Sequence, residues 1–190
     1  MDRDVITVVS GLPRSGTSML MKMLEAGGVE PLTDNVRTAD EDNPRGYYEF
    51  ERVKKLPQDT AWLPEARGKA VKVLAELVTK LPGGYNYKII FIRRNINEIL
   101  ASQRKMIVRR GEDPDAVSDR ELRALFNSYL RLLGSWIGGQ PNVDVLYVNY
   151  NEIMMDPTGP IEAINDFMGG DMDTAAMREA VDSDLYRNRA

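Results

Sequence analysis

Cysteine and histidine are both absent from the 190-residue sequence. Without thiols there is no disulfide framework and no thiolate metal site. Without imidazole there is no zinc held on histidine, no Ser-His-Asp or Cys-His triad, and no histidine general base. Acid–base chemistry is left to carboxylates, lysine and tyrosine. Long apolar runs are missing too, so no membrane partner is expected. The opening Met1-Asp2-Arg3-Asp4 lacks the basic segment and apolar stretch of a secretory signal, which makes the cytoplasm the expected compartment. Nor is there an excess of positive charge: 25 Lys and Arg against 29 Asp and Glu leave a net charge of -4. That balance offers no global field for nucleic acid, while a local basic pocket for a small anion stays open.

What is present suits a protein with a buried core. The residues are 43% hydrophobic and 28% charged, and no repeat, linker or compositional break divides the chain, so residues 1–190 are expected to form one domain. Val5-Ile6-Thr7-Val8-Val9 is a β-branched run that reads as a buried strand. From Thr17 the period becomes helical, with Leu20, Met23 and Leu24 on one face and a stop at Gly27-Gly28. The segment from about Val29 to Lys69, with Pro31, Pro44, Pro57 and Pro64, predicts an irregular surface wrap with short helical pieces. Ala70 to Leu74 reads as a second strand and Tyr87 to Ile92 as a third. Asn95 with Glu98, and Ser118 with Glu121, look like helix capping pairs. The second opens a stripe of Leu122, Leu125, Phe126, Tyr129, Leu130, Leu133, Trp136 and Ile137 that predicts a heavily packed helix. Val143 to Val148 returns to strand, and Asp156-Pro157 predicts another helix start. Strands alternating with helices imply an α/β architecture, a central, mainly parallel sheet flanked by helices.

Gly11-x-x-x-x-Gly16 has the glycine spacing of a Walker A loop, in which backbone N–H groups and a helix start surround a phosphate. Lysine should follow, but the sequence has Thr17 and Ser18 there, with Arg14 at the loop tip. The later strands run into Arg93-Arg94 and Asn149-Tyr150, so neither supplies the acid of a magnesium site. The pattern favours an anion held without metal and disfavours an ATPase or GTPase.

Pro13-Arg14-Ser15-Gly16-Thr17-Ser18 after a hydrophobic strand resembles the 5′-phosphosulfate loop of sulfotransferases that use 3′-phosphoadenosine 5′-phosphosulfate (PAPS), above all the arginine form of tyrosylprotein sulfotransferases and bacterial relatives. Phe91-Ile92-Arg93-Arg94-Asn95 with Ser102 is similar to the family's 3′-phosphate motif, a strand-ending arginine and a serine eight residues on, which selects Arg94 over Arg93. Softer matches are Asn43-Pro44-Arg45-Gly46-Tyr47-Tyr48-Glu49 and Val148-Asn149-Tyr150-Asn151-Glu152 with Asp156-Pro157. The family's C-terminal glycine-rich 3′-phosphate segment has no counterpart.

The resemblance implies a P-loop NTPase-like three-layer fold, PAPS as donor, 3′,5′-ADP as product, and a small-molecule or peptide acceptor carrying a hydroxyl or amine. Arg14 is expected to stabilise the bridging oxygen. Ser15, Gly16, Thr17 and Ser18 are expected to hold the 5′-phosphate, and Arg94 and Ser102 the 3′-phosphate. Glu49 and Asp34 are the candidate general bases. Lys72 is a candidate partner of the transferring sulfate; Tyr47, Tyr48 and Trp62 are candidates for an acceptor pocket, and Arg187 and Arg189 for a returning tail. A non-catalytic nucleotide-binding sensor or scaffold, and less so a nucleotide kinase, remain the alternatives.

Overall fold

The computed structural model describes residues 4–34, 36 and 46–182. Four strands form one sheet in the order β2-β1-β3-β4, with every pairing parallel. They are β1 (Val5–Gly11), β2 (Ala70–Lys72), β3 (Asn86–Arg93) and β4 (Val143–Asn149). Parallel neighbours require crossovers, and helices supply them. α1 (Thr17–Ala26) follows β1 and α2 (Ala75–Val78) follows β2. Two helices, α3 (Ile96–Arg109) and α4 (Asp119–Ile137), link β3 to β4. After β4 come α5 (Tyr150–Met155), α6 (Thr158–Met168) and α7 (Thr174–Ala180).

Side-chain alternation along the strands divides the core into two layers. Ile6, Val8, Ile89 and Phe91 face α2, α3 and α4, whereas Val9, Ile90 and Ile92 face α1, α5, α6 and α7. The inner face of α1 is closed off, with Leu20, Met21, Met23 and Leu24 all 0% exposed. The expected heavy packing of α4 is found in part, with Leu122, Tyr129, Trp136 and Ile137 half-buried against the core and Leu125 and Leu130 exposed. Its Ser118–Glu121 capping box forms in full, but only Phe126 and Leu133 are buried. This helix leans on α2 and α3, so part of its apolar stripe faces outward.

Boundaries shift where local chemistry outweighs the apolar pattern. β2 stops at Lys72, short of the expected Leu74, because Leu74 already stands at the N-cap of α2. Pro157, not Asp156, stands at the N-cap of α6, so the helix starts one residue later than the sequence suggests, and Asp156 accepts from the Thr158 N–H at 3.0 Å and its hydroxyl at 2.6 Å just ahead of it. The wrap between Gly46 and Lys69 carries two single 3-10 turns, Glu51–Lys55 and Leu63–Ala66. No helix among the described residues is long and apolar enough to cross a membrane.

Candidate functional site

At the C-terminal end of β1 the chain turns sharply into α1, and two glycines make the turn possible. A Cβ on Gly11 would lie 2.4 Å from Ser15 Oγ and 2.8 Å from the Ile92 carbonyl oxygen. Gly16 has φ 104°, and a Cβ there would meet the Tyr150 ring at 2.5 Å. Between them the Ser15 N–H donates to the Leu12 carbonyl at 3.1 Å, and Arg14 adopts a left-handed conformation with φ 67°. No side chain caps α1 and no acidic residue stands in its first turn. Among the described residues, its first amides and the positive end of its dipole therefore meet no capping side chain and no first-turn carboxylate. Ser15 Oγ is buried without a hydrogen-bond partner among the described residues, a cost that a bound oxyanion would remove.

The structure brings the two motifs into direct contact. Arg14 Nε donates to Ser102 Oγ at 3.0 Å, across from α3. Arg94 Nη1 donates to the Arg14 carbonyl at 3.2 Å, and its guanidinium lies over the Tyr150 ring at 4.2 Å. Arg94 Nε also donates to Glu98 Oε2 at 2.8 Å, while Asn151 Nδ2 donates to Glu98 Oε1 at 2.8 Å. Glu98 is thus not the capping partner of Asn95. Asn95 caps α3 alone, through the Asn97 N–H at 2.9 Å. Arg93 points away, stacked on Tyr147 at 3.8 Å.

On the opposite flank of the loop, β2 delivers a lysine that the loop itself lacks. Lys72 is only 8% exposed, and its Nζ donates to Ser18 Oγ at 3.4 Å and to the Tyr47 carbonyl at 2.5 Å. Glu49 lies beside it, with Oε1 3.8 Å from Lys72 Nζ and Oε2 3.1 Å from Lys54 Nζ. Asp34 is occupied differently: its carboxylate accepts the N–H of Val36 at 3.1 Å and of Glu51 at 2.6 Å, pinning two turns of the wrap. Tyr47 is buried beneath Lys72, its ring 5.8 Å from Nζ. Tyr48 donates to Glu25 at 2.5 Å, and burial followed by that carboxylate pushes its phenol well above the ordinary tyrosine range. Trp62 is a core residue, fully buried with Nε1 donating to the Asp59 carbonyl at 3.0 Å and its ring edge-on to Phe50. A cavity of about 320 Å³ opens between the sheet and α3 and α4, lined by Leu12, Ser15, Phe91, Leu133 and Tyr147 among others. Asn43, Pro44, Arg45, Arg187 and Arg189 lie outside the described residues.

A glycine loop feeding an uncapped helix start, flanked by a buried lysine and backed by strand-end arginines, defines an α/β protein of the phosphate-loop class, built to receive a polyanion. The chain belongs to the sulfotransferase domain family, whose model matches residues 2–187. Its fold is similar to that of the mouse sulfotransferase SULT7A1 complexed with PAP, with a TM-score of 0.58, 20% identity, and coverage of 100% of this chain and 69% of that one. The sulfotransferase domain of the Synechococcus PCC 7002 olefin synthase gives a TM-score of 0.55 at 17% identity, covering 98% of this chain and 80% of the other. A sulfotransferase from Alicyclobacillus acidocaldarius gives 0.50 at 18% identity, covering 94% and 87%. A search of curated proteins finds no match.

Proposed function

We propose that this sulfotransferase moves the sulfuryl group of PAPS to a hydroxyl or amine acceptor and releases 3′,5′-ADP. Family membership supports the reaction class. The observation that carries the residue assignment is the convergence of Arg14, Lys72 and the uncapped start of α1 on one glycine loop.

In the transfer the acceptor heteroatom forms a bond to sulfur, the bond from sulfur to the bridging oxygen breaks, and negative charge gathers on that oxygen. The amides of Ser15, Gly16 and Thr17 and the hydroxyls of Thr17 and Ser18 bind the 5′-phosphate end, and Arg14 neutralises the oxygen as it leaves. Lys72, held against Ser18, adds a second cation for the sulfuryl oxygens. Arg94 and Ser102 serve the 3′-phosphate, with Ser102 also orienting Arg14. The acceptor proton goes to Glu49, which sits beside Lys72. Asp34 is set aside for this role because its oxygens already hold the Val36 and Glu51 amides.

The test is incubation with PAPS and a panel of phenol, sugar, amine and peptide acceptors, following 3′,5′-ADP release in EDTA. Acceptor-dependent release in EDTA is expected. Failure of every acceptor, or a requirement for added magnesium, would overturn the proposal.

A further inference from the structure

Glu98 stands outside both phosphate motifs, yet it is the most deeply enclosed charge at the site. Its side chain is 2% exposed and that of Arg94 is 7% exposed. Ion pairs on a helix surface add little to stability. A buried pair differs, because each charge must have its remaining hydrogen-bonding groups satisfied or the desolvation cost exceeds the attraction. Here that requirement is met by four separate segments. Glu98 comes from the first turn of α3, where the helix dipole favours a carboxylate. Asn151 of α5 donates to its Oε1, Arg94 at the end of β3 donates to its Oε2, and Arg94 in turn holds the carbonyl of Arg14. Tyr150, under the Arg94 guanidinium, is also the ring that closes on Gly16.

We infer that Glu98 is a positioning residue that ties the two phosphate motifs into one unit. By fixing Arg94 it fixes the Arg14 carbonyl, and with it the left-handed turn that aims the Arg14 side chain at Ser102. Buried ion pairs are a poor source of stability compared with apolar packing, and their best-attested use is to set register. The register at stake is that of the sulfate-end arginine against the 3′-phosphate arginine. Loss of Glu98 therefore damages the transfer step as well as nucleotide affinity. This inference rests on the donor assignment given above.

The experiment compares wild type, E98A, E98Q and N151A for turnover of PAPS, for calorimetric affinity towards 3′,5′-ADP and 5′-ADP, and for thermal-shift binding of inorganic sulfate. Ile164→Val, a core change in α6, serves as a control for destabilisation alone. E98A is expected to lower kcat and weaken 3′,5′-ADP by about 10- to 100-fold each, the scale seen when the groups orienting a ligand-binding side chain are removed. E98Q, which preserves the shape and one of the two acceptor oxygens but sets an NH2 against the other donor, is expected to recover part of both, and N151A to fall between E98Q and wild type. Weaker sulfate binding by E98A than by wild type is the sign of the tether that needs no nucleotide. If E98A and E98Q bind sulfate and 3′,5′-ADP and turn over as wild type does, or lose no more than Ile164→Val, the tether is wrong. A wild type that binds sulfate but does not prefer 3′,5′-ADP to 5′-ADP instead sinks the donor assignment, and sulfate binding by E98A then still decides the tether.

Discussion

The β1–α1 crossover and the β3–α3–α4 crossover each carry one phosphate motif, and they are stabilised in different ways. In the first, four consecutive-turn residues of α1 are completely buried and the loop is shaped by two glycines pressed against Ser15 and Tyr150. In the second, α4 buries two residues, Leu132 is 62% exposed, and a cavity lies beneath the helix. Its arginine is positioned by polar contacts, with Glu98, Asn151 and the Arg14 carbonyl standing where the other motif uses packing. Packing suits a motif whose proposed ligand contacts include backbone amides, since those move only with the helix. A long charged side chain needs directional partners instead.

That contrast predicts a graded response. Leu24→Ala should cost about 2–5 kcal/mol of stability, as a large-to-small change in a closed core, read by denaturant unfolding. An equal loss from Leu132→Ala would break the comparison, because an exposed leucine should change stability by less than about 0.5 kcal/mol. Arg14→Ala should raise the barrier by about 2–4 kcal/mol, as for removal of one charge-stabilising group, with little change in unfolding midpoint; steady-state kinetics check it. Gly16→Ala should destabilise by about 1–3 kcal/mol through its positive φ, with further loss as the new methyl meets Tyr150. Its thermal midpoint, compared with that of an alanine at Gly159, where a Cβ meets nothing within 4 Å, isolates the effect of the turn.

The strand–loop–helix start was legible because its physics is local: a β-branched run, two glycines at fixed spacing, and a helical period beginning at Thr17. The missing loop lysine was equally plain. What the sequence left open was whether Lys72, its candidate partner for the sulfate, is buried at the loop or solvated. Lys72 follows a short apolar run and looks like a solvated strand-edge residue, and only the parallel pairing of β2 with β1 buries it beside Ser18. Glu98 was misread for a related reason. The three-residue spacing from Asn95 matches a capping box, while the four-residue spacing from Arg94 matches an ion pair, and the choice depends on Asn151, which is distant in sequence. Trp62 and the outward part of α4 show the same limit, since amphipathic pattern gives a face but not what covers it.

The central claim, that the loop and Arg94 together receive a nucleotide carrying a 3′-phosphate, is tested most directly by calorimetric titration of 3′,5′-ADP, 5′-ADP and magnesium-ATP. Tight, metal-independent binding of 3′,5′-ADP, with 5′-ADP and magnesium-ATP at least about tenfold weaker (1.4 kcal/mol), is the predicted result. Preferential binding of magnesium-ATP would contradict it.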